Sequence, residues 1–183
     1  MARPPPASRA PGGLVATEAG STSRGMALPD ENVRDFPRPP ALEWVDWPIA
    51  VEFGGVRVVE APGAWRVLET FHPPTYYVAR ESFRPDALRP SRARATLCEW
   101  KGRARYFDVV GGGRTARAAA WDYPEPTRAF APLRDHLALY AEPMDRVTVA
   151  GVEVVPQPGS FYGGWTTPNV TGPIKGAPGT THW

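Results

Sequence analysis

The chain has 183 residues, enough for one well-buried core and short for two. Its 23 Pro and 18 Gly break regular structure too often for long helices and favour turn-rich β structure. The net charge of +2 comes from residues 1–25, where Arg3, Arg9 and Arg24 face Glu18 alone; the remaining 18 basic and 18 acidic side chains cancel, which speaks against a polyanion-binding class.

Residues 1–30 hold Pro4-Pro5-Pro6, Gly12-Gly13 and scattered Ser and Thr without an apolar period, the composition of a disordered leader. Met26 inside it is a candidate translation start. Residues 31–160 are then expected to form one β domain, followed by a Gly- and aromatic-rich extension over 161–183.

From Pro48 the pattern is alternation. Val51-Glu52-Phe53, Gly54-Gly55 and Val56 to Val59 read as a hairpin with a glycine turn. Strand candidates follow at Trp65 to Thr70, Thr75 to Ala79 and Ala95 to Trp100, with a short helical turn around Pro85 to Leu88. A second glycine hairpin spans Ala104 to Val110, Gly111-Gly112-Gly113 and Arg114 to Trp121. One helix is expected over Pro132 to Ala141, from first-turn Pro132 and the spacing of Leu133, Leu137 and Tyr140. The fold class is therefore mainly β, a compact antiparallel domain with one short helix. Phe161-Tyr162-Gly163-Gly164-Trp165 and the residues after it are too aromatic for a solvated tail and are expected to dock on the domain or cover a pocket.

Two echoes run through the chain. Val51 to Trp65 matches Val147 to Phe161 at seven of fifteen positions without a gap, and Asp35-Phe36-Pro37-Arg38-Pro39 resembles Asp122-Tyr123-Pro124-Glu125-Pro126. Two β units related by a pseudo-twofold explain both; so does the generic look of a Val-rich hairpin.

Residues 78–106 carry eight basic side chains against three acidic ones, yet no recognition helix or phosphate loop accompanies them. They read as a solvated face, and nucleic acid is not the expected partner. Cys98 is the sole cysteine, so no internal disulfide forms, and with three His a closed zinc site is not expected. With no stretch apolar and long enough to span a bilayer, no membrane partner is expected, and the expected location is the cytoplasm.

Arg66-Val-Leu-Glu69-Thr with His72-Pro73-Pro74-Thr75-Tyr76-Tyr77, Cys98-x-x-Lys101-Gly102-x-Ala104-x-Tyr106, and Ala120-Trp121-x-Tyr123-Pro124-x-Pro126 together resemble the domain of unknown function 427 family. The resemblance implies a β-tent-like domain of two sheets. Some catalogues attach a nucleotidyltransferase label to the family, which this sequence supports little: it has no Asp-x-Asp, and its Gly-Ser pairs fall in the leader and in a strand echo.

The richest segment chemically is Arg66 to Glu81. In a strand, Arg66 and Leu68 share one face while Val67 and Glu69 share the other. Glu69 is a general base or metal ligand if enclosed; a structural ion pair with Lys101 or Arg105 is favoured over that. His72 precedes the stiff Pro73-Pro74 corner and is the His best placed for a ligand contact, with a loop-holding hydrogen bond as the alternative. Tyr76 and Tyr77 face opposite sides. Tyr106, Trp121 and Tyr123 are core residues individually and an aromatic pocket collectively. Cys98 beside Lys101 and Arg103 reads as a small buried hydrophobe rather than an activated thiolate.

These residues lead to a non-catalytic domain binding a small organic, anionic ligand through Arg66, Glu69, His72, Tyr77 and Lys101. No catalytic residue, metal or cofactor is assigned. The runner-up is metal-assisted transfer on a nucleotide, which needs a second carboxylate beside Glu69. A protein-interaction module is the third reading, and it calls for solvent-exposed Trp165 and Trp183.

Overall fold

A computed structural model describes residues 27–159 and 161–180 of the chain. Residues 1–26 of the expected leader, which include Met26, and His182 and Trp183 lie outside the described residues; of its last four residues, Leu28 packs on the core and the Pro29 carbonyl accepts from Asn169 Nδ2 at 2.7 Å. The chain forms β1 (Glu31–Asn32), β2 (Ala41–Val45), β3 (Ile49–Phe53), β4 (Val56–Ala61), β5 (Ala64–Leu68) and β6 (Thr75–Ala79). A 3-10 turn at Arg80–Ser82 precedes β7 (Leu88–Pro90), β8 (Thr96–Cys98), β9 (Gly102–Gly111) and β10 (Arg114–Asp122). After a second 3-10 stretch, Arg128–Leu133, come β11 (His136–Leu139), β12 (Arg146–Val149), β13 (Val152–Glu153), β14 (Val155–Pro156), β15 (Trp165–Thr166) and β16 (Val170–Thr171).

The fold is mainly β and antiparallel. Eight strands make the large sheet, ordered β2-β5-β6-β11-β10-β9-β7, with β8 pairing on β9. A four-stranded sheet runs β13-β12-β3-β4. Alternation in β6 and β11 sends Tyr76, Val78, Leu137 and Leu139 to the large sheet's inner face, where they share one core with Ile49, Val51, Val147 and Val149 of the smaller sheet. Tyr77 and Ala138 fall on the opposite face and join Val67, Trp121, Tyr123, Phe130 and Leu133 in a second cluster.

Both glycine hairpins form where expected. Gly54 and Gly55 sit at φ 64° and 74°, and Gly112 and Gly113 at 51° and 77°, a left-handed conformation that glycine adopts without steric cost. The two turns also touch, since a Cβ on Gly112 would lie 1.7 Å from the Gly54 carbonyl oxygen.

Two expectations are corrected. Residues 136–139 form strand β11, not the end of a helix. The 3-10 stretch ends at Leu133 because Arg134 is already extended at ψ 135°; Asp135 then takes φ 61°, and Leu137 and Leu139 bury one face at a strand's period of two. The Leu133, Leu137 and Tyr140 spacing is incidental, because Leu133 ends a different element. At Pro85 to Leu88 the chain makes a single turn, the Ala87 N–H donating to the Arg84 carbonyl at 3.0 Å, and continues into β7.

The Val51 and Val147 echo has a spatial counterpart. Val51 pairs with Val147, Glu52 with Arg146 and Ala50 with Thr148, so exchanging the two halves reproduces the pairing. The hairpins match too: Glu52↔Arg57 and Phe53↔Val56 correspond to Thr148↔Glu153 and Val149↔Val152. Asp35 and Asp122 show no such equivalence, since Asp122 is buried in β10 and Asp35 lies in an exposed turn.

Candidate functional site

The second cluster is incomplete as a core and leaves a cavity of about 190 Å³ between the large sheet, the β8–β9 turn and the C-terminal segment. Glu69, His72, Tyr77 and Lys101 all line it. Arg66 does not: it lies on the other face of β5, bonded to Glu31 at 2.6 Å and to Glu43, with its guanidinium 4.7 Å from the Trp47 ring. The parity that gives Glu69 and Val67 to the cavity sends Arg66 away from it.

Lys101 is set by a pinned turn. Thr127 accepts the task from both sides of Lys101: its N–H donates to the Lys101 carbonyl at 3.2 Å and its hydroxyl to the Trp100 carbonyl at 2.6 Å. Gly102, at φ 104°, lets the chain reverse into β9. The ammonium nitrogen then lies 5.9 Å from the ring centroids of both Tyr123 and Phe130, within cation–π range. Burial opposes its charge, but the neighbouring Tyr77, Cys98 and Glu69 groups more than offset this, so its pKa lies above the usual lysine value. Among the described residues it makes no ion pair.

Glu69 pairs with Arg38 at 3.3 Å, rather than with Lys101 or Arg105 as the sequence suggests. Arg105 is engaged by the buried Asp122 at 2.6 Å, which also binds Arg80 at 2.8 Å. Arg38 reaches Glu99 at 3.5 Å as well. Among the described residues no group of three or more His, Cys, Asp and Glu side chains is arranged to hold a metal ion.

His72 follows Phe71, which is held at φ 65° between two backbone bonds: its N–H donates to Val33 and its carbonyl accepts from Lys175, both at 2.9 Å. The Gly164 N–H donates to Gln157 Oε1 at 3.2 Å, so the amide nitrogen of Gln157 faces His72 Nδ1 at 3.0 Å and the Lys175 carbonyl at 2.9 Å. A donating amide makes Nδ1 the acceptor and leaves the proton on Nε2. Burial, with Lys175 and Lys101 nearby, lowers the His72 pKa to about 4, so the ring is neutral at physiological pH.

Tyr77 is buried, which raises its phenol pKa. Its ring meets Trp121 edge-on at 6.4 Å and lies 6.3 Å from Tyr123. Tyr140 packs 4.6 Å from Trp121, and Tyr162 meets His72 edge-on at 4.7 Å. The cavity is thus walled by aromatic rings around one ammonium, one neutral imidazole and one carboxylate already paired.

The sequence missed Gln157, Tyr140 and Thr75 as cavity residues. Tyr140 was masked by its apparent helical spacing, and Gln157 carries no local signal. The C-terminal segment does reach the cavity through Phe161, Tyr162 and Gly163. It is anchored by Trp165, which is 1% exposed, stacks on Tyr76 at 5.3 Å and donates Nε1–H to the Leu139 carbonyl at 3.0 Å. Burying such a ring contributes about 4–6 kcal/mol before the entropy of ordering the segment. Trp165 is therefore not an exposed docking residue, while Trp183 lies outside the described residues.

Among the described residues no helix is long and apolar enough to cross a membrane. Fold and cavity together define an antiparallel β domain with an aromatic-walled pocket closed by its own C-terminal segment. The chain belongs to the family described as Domain of unknown function (DUF427), whose model matches residues 41–150, more than half of its length. No curated protein matches it.

Proposed function

We propose that this domain binds a small planar organic anion in the pocket, its ring against the aromatic wall and its acidic group at the Lys101 ammonium and the His72 Nε2–H. The observation that carries this reading is Lys101, a cation lodged among rings with no carboxylate paired to it among the described residues. Tyr77, Cys98 and Glu69 hold that charge in place without pairing to it, Glu69 being engaged by Arg38, and an anionic ligand adds the direct counter-charge that none of them gives. A volume of about 190 Å³ suits a single substituted ring, being below the roughly 300 Å³ at which drug-sized ligands begin to fit. A lone Cys98 without a disulfide partner is in keeping with a reducing compartment such as the cytoplasm.

Metal-assisted nucleotidyl transfer is the competing reading, echoed in the family model's short name NTP_transf_9. It requires a carboxylate pair on the metal, and the partner of Glu69 is Arg38.

The test is thermal unfolding of the full chain with benzoate, with benzyl alcohol as the uncharged control, and with nucleotides in the presence and absence of Mg²⁺. Benzoate at a hundred times its dissociation constant adds about 2.7 kcal/mol, a shift of several degrees. The shift disappears in Lys101→Met. An equal response to benzyl alcohol, or a response that survives in Lys101→Met, overturns the proposal, and a shift confined to nucleotides with Mg²⁺ returns the transferase reading.

A further inference from the structure

A second, wider cavity of about 590 Å³ adjoins the pocket. Thr96, Tyr106, Tyr140, Gln157, Tyr162 and Gly163 line both, so the two cavities lie side by side. The outer cavity differs in chemistry. Arg94, from the loop before β8, and Arg117, from β10, line it together with Glu142. Neither arginine forms an ion pair among the described residues, a state they share with Arg34, Arg84, Arg89, Arg92, Arg103, Arg128 and Arg134, and Arg117 lies near enough to Asp108 to help lower that carboxyl's pKa. Arg92 adds a further positive side chain in an adjoining hollow that Arg117 also lines.

The backbone here departs from regular pairing. Ala116 pairs with Val109 and Ala120 with Phe107, so Arg117, Ala118 and Ala119 together oppose Asp108 alone. Ala118 takes φ 50°, a left-handed conformation that costs a non-glycine residue free energy, and its N–H donates to Asp108 Oδ1 at 2.8 Å. A bulge of this kind bends a strand and redirects its side chains, and such features concentrate beside binding sites. Arg117, Ala118 and Ala119 all line the outer cavity. His72, which lines the inner pocket, follows Phe71, which is left-handed as well.

We propose that pocket and cleft are one two-compartment site, taking a ligand whose acidic ring fills the inner pocket and whose tail carries a second anionic group, carboxylate or phosphate, held between Arg94 and Arg117. This rests on the reading of the inner pocket given above and adds the length and second charge of the ligand.

Four probes separate the two ideas when titrated into the full chain by calorimetry. Benzoate reports the ring compartment alone, and 4-butylbenzoate adds an uncharged tail. The compound 4-(3-carboxypropyl)benzoate gives a tail of similar length ending in carboxylate, and orotidine 5′-monophosphate joins a carboxylated ring to a phosphate. The charged-tail compounds bind at least tenfold more tightly than 4-butylbenzoate, and a double variant Arg94→Gln, Arg117→Gln loses that gain while binding benzoate as the wild type does. Both arginines are exposed, so the double variant unfolds at the wild-type temperature. Equal affinity for charged and neutral tails, or a gain retained in the double variant, overturns this inference and leaves the ring pocket standing. Failure of every ring acid to bind overturns both.

Discussion

The Gln157 amide donates to Nδ1 of His72 at 3.0 Å, and that bond decides which imidazole nitrogen keeps its proton. The same ring is kept neutral by burial and by Lys175 and Lys101, with Arg38 adding to the effect.

A pH dependence follows. The folded pKa of His72, about 4, lies below the ordinary 6.5, so between those values the unfolded chain binds more protons than the folded one. Stability contributed by neutral His72 is present above pH 6.5 and is lost as the pH falls towards 4. After discount for solvent screening it amounts to roughly 1–2 kcal/mol. Urea unfolding at pH 7 and pH 4.5 measures it, taking the difference between wild type and His72→Asn so that carboxylate titration cancels. Identical pH slopes in the two proteins contradict the assignment.

Replacing Lys101 separates stability from binding. Lys101→Met keeps the length of the side chain but removes a cation that the folded state favours, since the Lys101 pKa is raised there, so the free protein unfolds at a slightly lower urea concentration, by up to about 1 kcal/mol. Its benzoate response disappears. A marked loss of stability shows instead that the Lys101 cation holds the fold together.

Arg66 behaves oppositely. Truncation to alanine strands Glu31 and Glu43 without their cation and costs about 3 kcal/mol in chemical unfolding. Because Arg66 lies on the far face of β5, benzoate affinity is unchanged at a temperature where the variant is folded. A fall in affinity equal to that of Lys101→Met places Arg66 in the site after all.

Among the described glycines, Gly112 at the contact between the two hairpin turns leaves the least room for a Cβ. Alanine at Gly112 combines a left-handed φ with a Cβ driven into the Gly54 carbonyl, and costs about 2–4 kcal/mol. Gly113→Ala has a left-handed φ of its own and nothing within 4 Å of its Cβ, and costs about 1 kcal/mol. Comparing the two melting temperatures isolates the steric part.

How far the sequence reaches depends on whether a residue's signal is local. The glycine hairpins are legible because their turn chemistry is carried by adjacent residues, and β6 is found to the residue from its alternation. Residues 136–139 are misread because apolar positions three and four apart suit a helix, while the left-handed Asp135 that separates them has no mark in the sequence. In the candidate site, strand parity already opposes Arg66 to Glu69, and the geometry follows that parity rather than the chemical appeal of a second cation. Gln157 and Tyr140 come from segments remote from the His72 corner, so only the folded sheet order brings them there. Arg38 as the partner of Glu69 is hidden for the same reason.

The pairing of Val51 with Val147 also constrains how the chain reaches this state. The two central strands of the smaller sheet come from opposite ends of the domain, and the core beneath them needs both. Closing so long a loop precedes any gain from the contacts, which places folding in the millisecond-to-second range typical of non-local β proteins. On the ribosome, β3 and β4 emerge with one edge unsatisfied and wait for β12. An apolar hairpin therefore stays open to wrong partners until Val149 has been added, and that interval is when the nascent chain is most prone to aggregate.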